Sequence, residues 1–227
     1  MAKRGLLHRL GCLLRNQTLL RILMDEGLAL ETVKGRTIDI GGGRHQTYLG
    51  YLRLEEDAKI EAVDASISSI DFEKDRLPYD DASIDSELCC NVLEHIYNHR
   101  HLLREMHRIL KPGGALVGFV PFLYVYHPDP QDYFRYTSTA LVRLLEDTGF
   151  KEATARGIGG GPFLLNFNTL APSLPRFLRA LAFPWYALLD WVFLLLRPRA
   201  RIRYPLGYIF SARAGAAPNG PQVPEGR

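Results

Sequence analysis

The sequence predicts an α/β fold: a doubly wound, mostly parallel sheet with helices on both faces. Two observations predict it. Short apolar runs suited to strands alternate along the chain with amphipathic stretches at helical spacing. A glycine triplet, Gly41 to Gly43, follows the first of those strands directly, at the point where an open parallel sheet presents its carboxyl end to a ligand.

Residues 1–35 come first. They hold no acid before Asp25, while Lys3, Arg4, Arg9, Arg15 and Arg21 punctuate a leucine-rich stretch, which predicts a basic amphipathic helical segment. "GRTIDI" then reads as a strand leaving a turn, and "AKIEAVDA" as a second strand ending in Asp64. An acid- and proline-rich turn leads to a third strand, Ser86 to Cys90. "HRHLLREMHRIL" gathers Leu102, Leu103, Met106, Ile109 and Leu110 on one helical face, "KPGG" stops that helix, and "ALVGFV" is the next strand. After a long loop, "TSTALVRLLEDTG" opens on capping hydroxyls and closes on Gly149. Residues 159–202 read as an apolar helical insertion before a last strand, "YPLGYIFSARA", and residues 213–227, rich in Gly, Pro and Ala, as a disordered tail.

A chain of 227 residues with 47% hydrophobic content buries one sizeable core, so residues 36–212 form one main domain that includes the insertion. Three cysteines build no disulfide framework, which fits a reducing, cytoplasmic setting, and the Cys89–Cys90 pair reads as small hydrophobes in an apolar run. The start lacks a continuous apolar centre and a small-residue cleavage site, so a secretory signal is rejected. A net charge of +3 is too small for binding nucleic acid by bulk electrostatics, and no aromatic-basic RNA platform is present. Within the insertion, "ALAFPWYALLDWVFLLL" is short for a spanning helix and carries Asp190; "RPRARIR" follows it. Together with the basic start, this fits either contact with an anionic membrane surface, at the inner membrane face, or helices that cap the sheet or form a homodimer contact.

A glycine turn between strand and helix lets backbone N–H groups approach a ligand unobstructed. The dinucleotide fingerprint is matched at Gly41 and Gly43, but its last position is Gln46, which argues against a pyrophosphate. Asp64, 21 residues beyond Gly43, stands at a strand end where a carboxylate accepts from both ribose hydroxyls. The competing reading is an ordinary loop with Asp64 as a helix cap.

In order and spacing, "IDIGGG", "VDAS", "LPYDDASID", "NVLEHI", "REMHRILKPGG" and "HPDPQDYFRYTSTALVRLLEDTGF" resemble the class I S-adenosylmethionine-dependent methyltransferases. The branch most similar is the small-molecule group found among bacterial glycan-assembly enzymes. The resemblance covers residues 36 to 158 and implies a Rossmann-like sheet of seven strands with S-adenosyl-L-methionine as cofactor. It further implies that Asp39 and the backbone at Gly41 and Gly43 hold the methionine end, Asp64 the ribose, Asp71 with Phe72 the adenine, and that Asn91 lines the pocket near the methionyl portion. His45, where the family often has a small residue, is a departure.

Methyl transfer asks the protein for proximity, alignment and, for a hydroxyl acceptor, a base at the carboxyl edge of the sheet. His127, in the loop "PFLYVYHPDPQDYFRYT", is the first candidate and His95 the second. Each also has a structural reading, His127 as a loop hydrogen-bonder and His95, beside Glu94, in capping or packing. His99, His101 and His107 scatter around a surface helix and make no metal site. Tyr124, Tyr126, Tyr133 and Tyr136 either shape an acceptor pocket or pack the loop. The expected acceptor is a small-molecule or lipid-linked saccharide, methylated at oxygen. A non-catalytic cofactor-binding subunit of a glycan or lipid assembly complex and a nicotinamide-dependent oxidoreductase are the alternatives, the latter disfavoured by Gln46.

Overall fold

The structure is a computed structural model and describes residues 5–43, 46–64 and 70–215. His45 and most of the tail therefore lie outside the described residues. The chain opens on two helices, α1 (Leu6–Leu14) and α2 (Leu19–Leu28). The break between them falls at Asn16, which takes a positive φ of 66°, and α2 restarts on Thr18, whose hydroxyl accepts from the Arg21 amide at 3.2 Å. The basic N-terminal segment is thus two helices, and α2 inserts Leu19, Leu20, Ile22 and Leu28 into the core.

Eight strands follow among the described residues: β1 (Thr32–Val33), β2 (Arg36–Ile40), β3 (Arg53–Leu54), β4 (Lys59–Val63), β5 (Ile84–Cys90), β6 (Leu110–Pro121), β7 (Phe150–Gly159) and β8 (Pro205–Ala214). β1 and β3 form a small parallel pair, and the other six make one sheet in the order β4-β2-β5-β6-β8-β7. The β2–β4, β2–β5 and β5–β6 pairings are parallel, whereas β8 runs antiparallel between β6 and β7.

The sheet therefore has six strands among the described residues, not the seven expected. β4 is an edge strand. The chain between β4 and β5, as far as it is described, turns rather than extends. Asp71, Glu73, Lys74, Asp75, Arg76 and Pro78 leave only Phe72 and Leu77 buried there, with Ile70 and Tyr79 partly buried against the core, too irregular a spacing for an alternating strand. Conversely, β7 was not foreseen: "FKEATARGIG" presents no clear apolar alternation, because its middle is half-exposed beside β8. β8 runs through Ala214, two residues into the stretch expected to be tail, because Arg213 and Ala214 pair with Lys151 and Phe150.

Helices α3 (His99–Ile109) and α4 (Ser138–Asp147) cover one face of the sheet. Leu102, Leu103, Met106 and Ile109 are fully buried on α3, worth about 2 kcal/mol each against an exposed position. α3 ends at Ile109 and β6 starts at once, so Gly113, with φ of 77°, lies within the first residues of β6 rather than ahead of it. The Thr137 hydroxyl caps α4, accepting from the Ala140 amide at 3.2 Å. The opposite face is covered by α1, α2, α5 (Pro162–Leu170) and α6 (Arg176–Leu196), packed around Leu88, Val117, Phe119 and Ile209. Cys89 and Cys90 are buried in the sheet and act as small hydrophobes. This three-layer arrangement is the Rossmann-like α/β fold expected. It exposes the carboxyl ends of β2, β4, β5 and β6 along one edge.

Candidate active site

At that edge the chain leaves β2 through the glycine turn. Gly41 has φ of 69°, its amide donates to the Val63 carbonyl at 2.7 Å, and a Cβ there would lie 2.3 Å from Val92 Cγ2. A Cβ on Gly42 would fall 2.4 Å from Asp39 Oδ2. The turn is closed on its protein side by these two contacts. A Cβ on Gly43, by contrast, would meet Asp64 Oδ2 at an ordinary contact distance of 3.5 Å.

A cleft of about 380 Å³ opens here. It brings Gly41 from the end of β2, Asp64 from the end of β4 and Asn91 from the end of β5 to a single concavity, which Phe72, His95 and Asp129 also line. Asn91 takes a positive φ of 57°, a conformation asparagine tolerates better than most residues. Its Nδ2 donates to Met24 Sδ at 3.4 Å, which ties the Asn91 side chain to α2 behind the cleft.

Asp39 lies beneath the turn, fully buried and outside the cleft lining. Tyr48 Oη donates to its Oδ2 at 2.6 Å; its Oδ1 has no hydrogen-bond partner. Burial pushes its carboxyl up to about 7, against the opposing pull of the Tyr48 hydrogen bond and the Arg21 charge. Asp71 also stands outside the cleft lining. Its carboxylate is claimed by Lys74 Nζ at 2.8 Å and the Glu73 amide at 3.0 Å, both of which hold its pKa below the ordinary carboxylate value. Of the expected adenine contacts, Phe72 alone reaches the cleft.

The two histidines meet. His95 borders the cleft, and the His127 ring packs edge-on against it with centroids 5.1 Å apart. His95 Nδ1 donates to the Gln131 carbonyl at 2.5 Å and His127 Nδ1 to the Val125 carbonyl at 3.0 Å. That assignment leaves the Nε2 lone pairs of both rings facing one carboxylate, Glu94, at 3.7 and 3.9 Å. Glu94 is fully buried, neither of its oxygens has a hydrogen-bond partner, and burial pushes its pKa up to about 8. At neutral pH this carboxyl carries a proton. His127 is held below its ordinary value chiefly by burial. Behind it, Arg135 clamps Asp132 with both guanidinium nitrogens, holding that carboxyl down at about 2, and Asp132 Oδ2 accepts from the His127 amide at 3.0 Å.

Glu94, His95 and His127 are the one group among the described residues with ligand atoms close enough to hold a cation, all within 4.8 Å of one another. Tetrahedral zinc with bonds of about 2.05 Å needs ligand atoms about 3.4 Å apart. The observed spacings are wider, so the cluster reads as acid–base machinery. Sequence reasoning placed both histidines here and missed Glu94 and the Asp132–Arg135 clamp. The signal for Glu94 was an acid inside the apolar run "NVLEHI", a position that buries it. The tyrosines divide: Tyr136 is buried and donates to the Leu93 carbonyl at 3.0 Å, while Tyr126 and Tyr133 are exposed on the same loop.

With this geometry in place, residues 39–118 match a family described as "Methyltransferase domain". A probable S-adenosylmethionine-dependent methyltransferase of Mycolicibacterium smegmatis is 26% identical over 122 residues, which is 50% of this chain and 48% of that protein. A probable S-adenosylmethionine-dependent methyltransferase of Mycobacterium tuberculosis is 27% identical over 116 residues, 48% of this chain and 40% of that protein. The match thus spans less than half the length of these curated relatives. Among solved structures, the possible histamine N-methyltransferase of Thermotoga maritima superposes with a TM-score of 0.50 at 14% identity, over 91% of this chain and 94% of that one. The cyclase SpnF superposes with a TM-score of 0.51 at 18% identity, over 86% and 80%. These superpositions show the fold.

Proposed function

We propose, from the premise that residues 39–118 form the methyltransferase domain of a class I S-adenosylmethionine-dependent enzyme, that this chain methylates a hydroxyl of a small-molecule or lipid-linked saccharide. One observation carries the reading. A single cleft collects a glycine turn, a strand-end carboxylate, an aromatic wall and a strand-end amide, with an imidazole at its rim. That set fits the cofactor: Asp64 accepts from a ribose diol, Phe72 packs on the adenine, and Gly41 and Gly43 admit the methionyl portion. The unpartnered Oδ1 of Asp39 provides a buried acceptor beneath the turn. The cofactor, when bound, supplies a methyl group already activated on a sulfonium.

The remaining work belongs to the chain. The cleft walls fix the approach line, where the gain comes from alignment. His95, the ring that borders the cleft, takes the hydroxyl proton on Nε2, its tautomer set by the Gln131 carbonyl. Glu94 Oε1 lies 3.7 Å from that atom and 3.9 Å from His127 Nε2, so the protonated Glu94 carboxyl passes its own proton to His127 as it takes one from His95. The exposed tyrosines Tyr97, Tyr126 and Tyr133, close in sequence to the lining residues Ile96, Asp129 and Pro130, offer apolar faces with hydroxyl tips, a surface suited to a sugar ring. Incubating the protein with methyl-labelled cofactor and separated polar and lipid extracts tests the proposal. Label should move to a hydroxyl-bearing compound; label that moves only to amines, or to nothing in any fraction, would refute it.

A further inference from the structure

Helix α6 covers the sheet with only a narrow strip. Phe183, Asp190 and Leu194 turn inward, while Phe177, Leu181, Trp185, Leu188, Trp191 and Leu195 form a row along the outer side, each between 49% and 68% exposed. α1 lies against α6 and adds exposed Leu6, Leu7 and Leu14. A continuous apolar row of this kind marks an interaction face. Its charge pattern says with what. From residue 159 to 203 the chain carries one acid, the buried Asp190, and six arginines; Arg176 stands exposed at one end of α6, and Arg197, Arg199, Arg201 and Arg203 stand exposed at the other. A second copy laid antiparallel on this face would bring arginine ends together, whereas anionic headgroups would neutralise them.

We infer that α1 and α6 form a platform that docks in the plane of an anionic lipid bilayer, with the tryptophans and leucines of α6 in the headgroup–acyl boundary and the arginines at the phosphates. With 21 residues and a mean hydropathy of 1.4 over its most apolar window, α6 is long and apolar enough to cross a membrane. Its inner side prevents that. Asp190 Oδ2 accepts from the Gly161 amide at 2.5 Å and Oδ1 from the Phe163 and Leu164 amides at 3.0 and 3.2 Å, which caps the start of α5. Phe183 packs on Phe167 with ring centroids 5.4 Å apart, and the Arg179 guanidinium reaches Asn16 and the carbonyls of Pro172 and Leu174. Spanning would strip these contacts and strand Asp190 in hydrocarbon. Both ends of the insertion sit on the cleft's edge of the sheet, because Gly159 pairs with Pro205 and Gly207 with Pro121, the last residue of β6. The docking stands by itself; its consequence, that the acceptor is delivered from the bilayer surface, rests on the methyl-transfer reading.

Trp185 and Trp191 are the protein's two tryptophans, so fluorescence excited selectively at tryptophan reports this face alone. The purified full chain is titrated with vesicles of phosphatidylcholine, with and without phosphatidylglycerol, and floated on a gradient, and S-adenosylhomocysteine binding is measured on the same preparation. The expected result is a blue shift and flotation with the anionic vesicles. Arg199→Ser with Arg201→Ser weakens that binding on the order of 25-fold, and Leu181→Glu with Leu188→Glu removes it while ligand binding and circular dichroism stay unchanged. Four results would overturn the inference: no flotation with intact ligand binding, equal binding to neutral vesicles, a concentration-dependent dimer that buries the tryptophans without lipid, or retention in vesicles through alkaline carbonate extraction. Loss of ligand binding with flotation intact would instead overturn the transferase reading.

Discussion

Replacing Glu94 by Gln should change how stability depends on pH, because the buried carboxyl titrates differently in the folded and unfolded chain. Its pKa is about 8 in the fold against an ordinary 4.5. A carboxyl raised by folding keeps its proton where the unfolded chain has lost it, so its contribution is intact below pH 4.5 and declines as pH rises toward 8. At about 1.4 kcal/mol per pH step, the loss is about 3 kcal/mol at pH 7 and about 5 kcal/mol above pH 8. Glutamine has the same shape and no titration; its unpaired amide costs a roughly constant 1 to 3 kcal/mol. Asp39 titrates equally in both proteins and cancels from the comparison. Urea unfolding of the two proteins at pH 5, 7 and 9 should therefore show the difference between them moving by about 4 kcal/mol toward the variant across that range. Parallel pH profiles would refute the buried, protonated Glu94 and the proton-sharing cluster built on it.

Tyr48→Phe should leave both Asp39 oxygens without a donor, lowering stability by about 1 to 3 kcal/mol in urea unfolding near neutral pH. Loss of the hydrogen bond that lowers the Asp39 pKa should also raise it, so the destabilisation grows between pH 6 and 8. His95→Ala should lower kcat by about 100-fold or more with cofactor affinity unchanged, and His127→Ala by less, because only His95 borders the cleft. Equal losses in both variants would displace His95 from the proton-accepting position. Asp190→Ala should remove three hydrogen bonds from the start of α5 and detach α6 from it, read as faster proteolysis within residues 160–203.

The parts of the site that were legible in the sequence sit at strand ends. Gly41, Asp64 and Asn91 each follow a strand whose apolar run is unmistakable, and parallel pairing then brings those ends to one edge whatever the loops do. His95 was legible for the same reason, standing a few residues past β5. The direction of a side chain was not. Asp39 and Asp71 are both acids beside the turn region, yet one is sealed beneath it by Tyr48 and the other is drawn to solvent by Lys74. Glu94 reads as a capping residue until the loop from residue 122 to 136 folds over it and the Tyr133 and Phe134 amides bind its carbonyl. The missing strand and the unforeseen one share a cause. Strand character at the sheet's margins depends on what covers each face, so residues 70–83 and β7 carry weak alternation, whereas β8, buried on both faces, announces itself as "PLGYIF".

The account rests on the cleft at the carboxyl edge holding an adenosyl ligand, and calorimetric titration with S-adenosylhomocysteine tests it most directly. The wild-type protein should bind one equivalent. Asp64→Ala should lose two charge-assisted hydrogen bonds to the ribose, about 3 kcal/mol at this partly exposed position, which is about 150-fold in affinity, with the circular dichroism of the folded protein retained. No binding by the wild type, or equal affinity in the variant, would contradict the assignment.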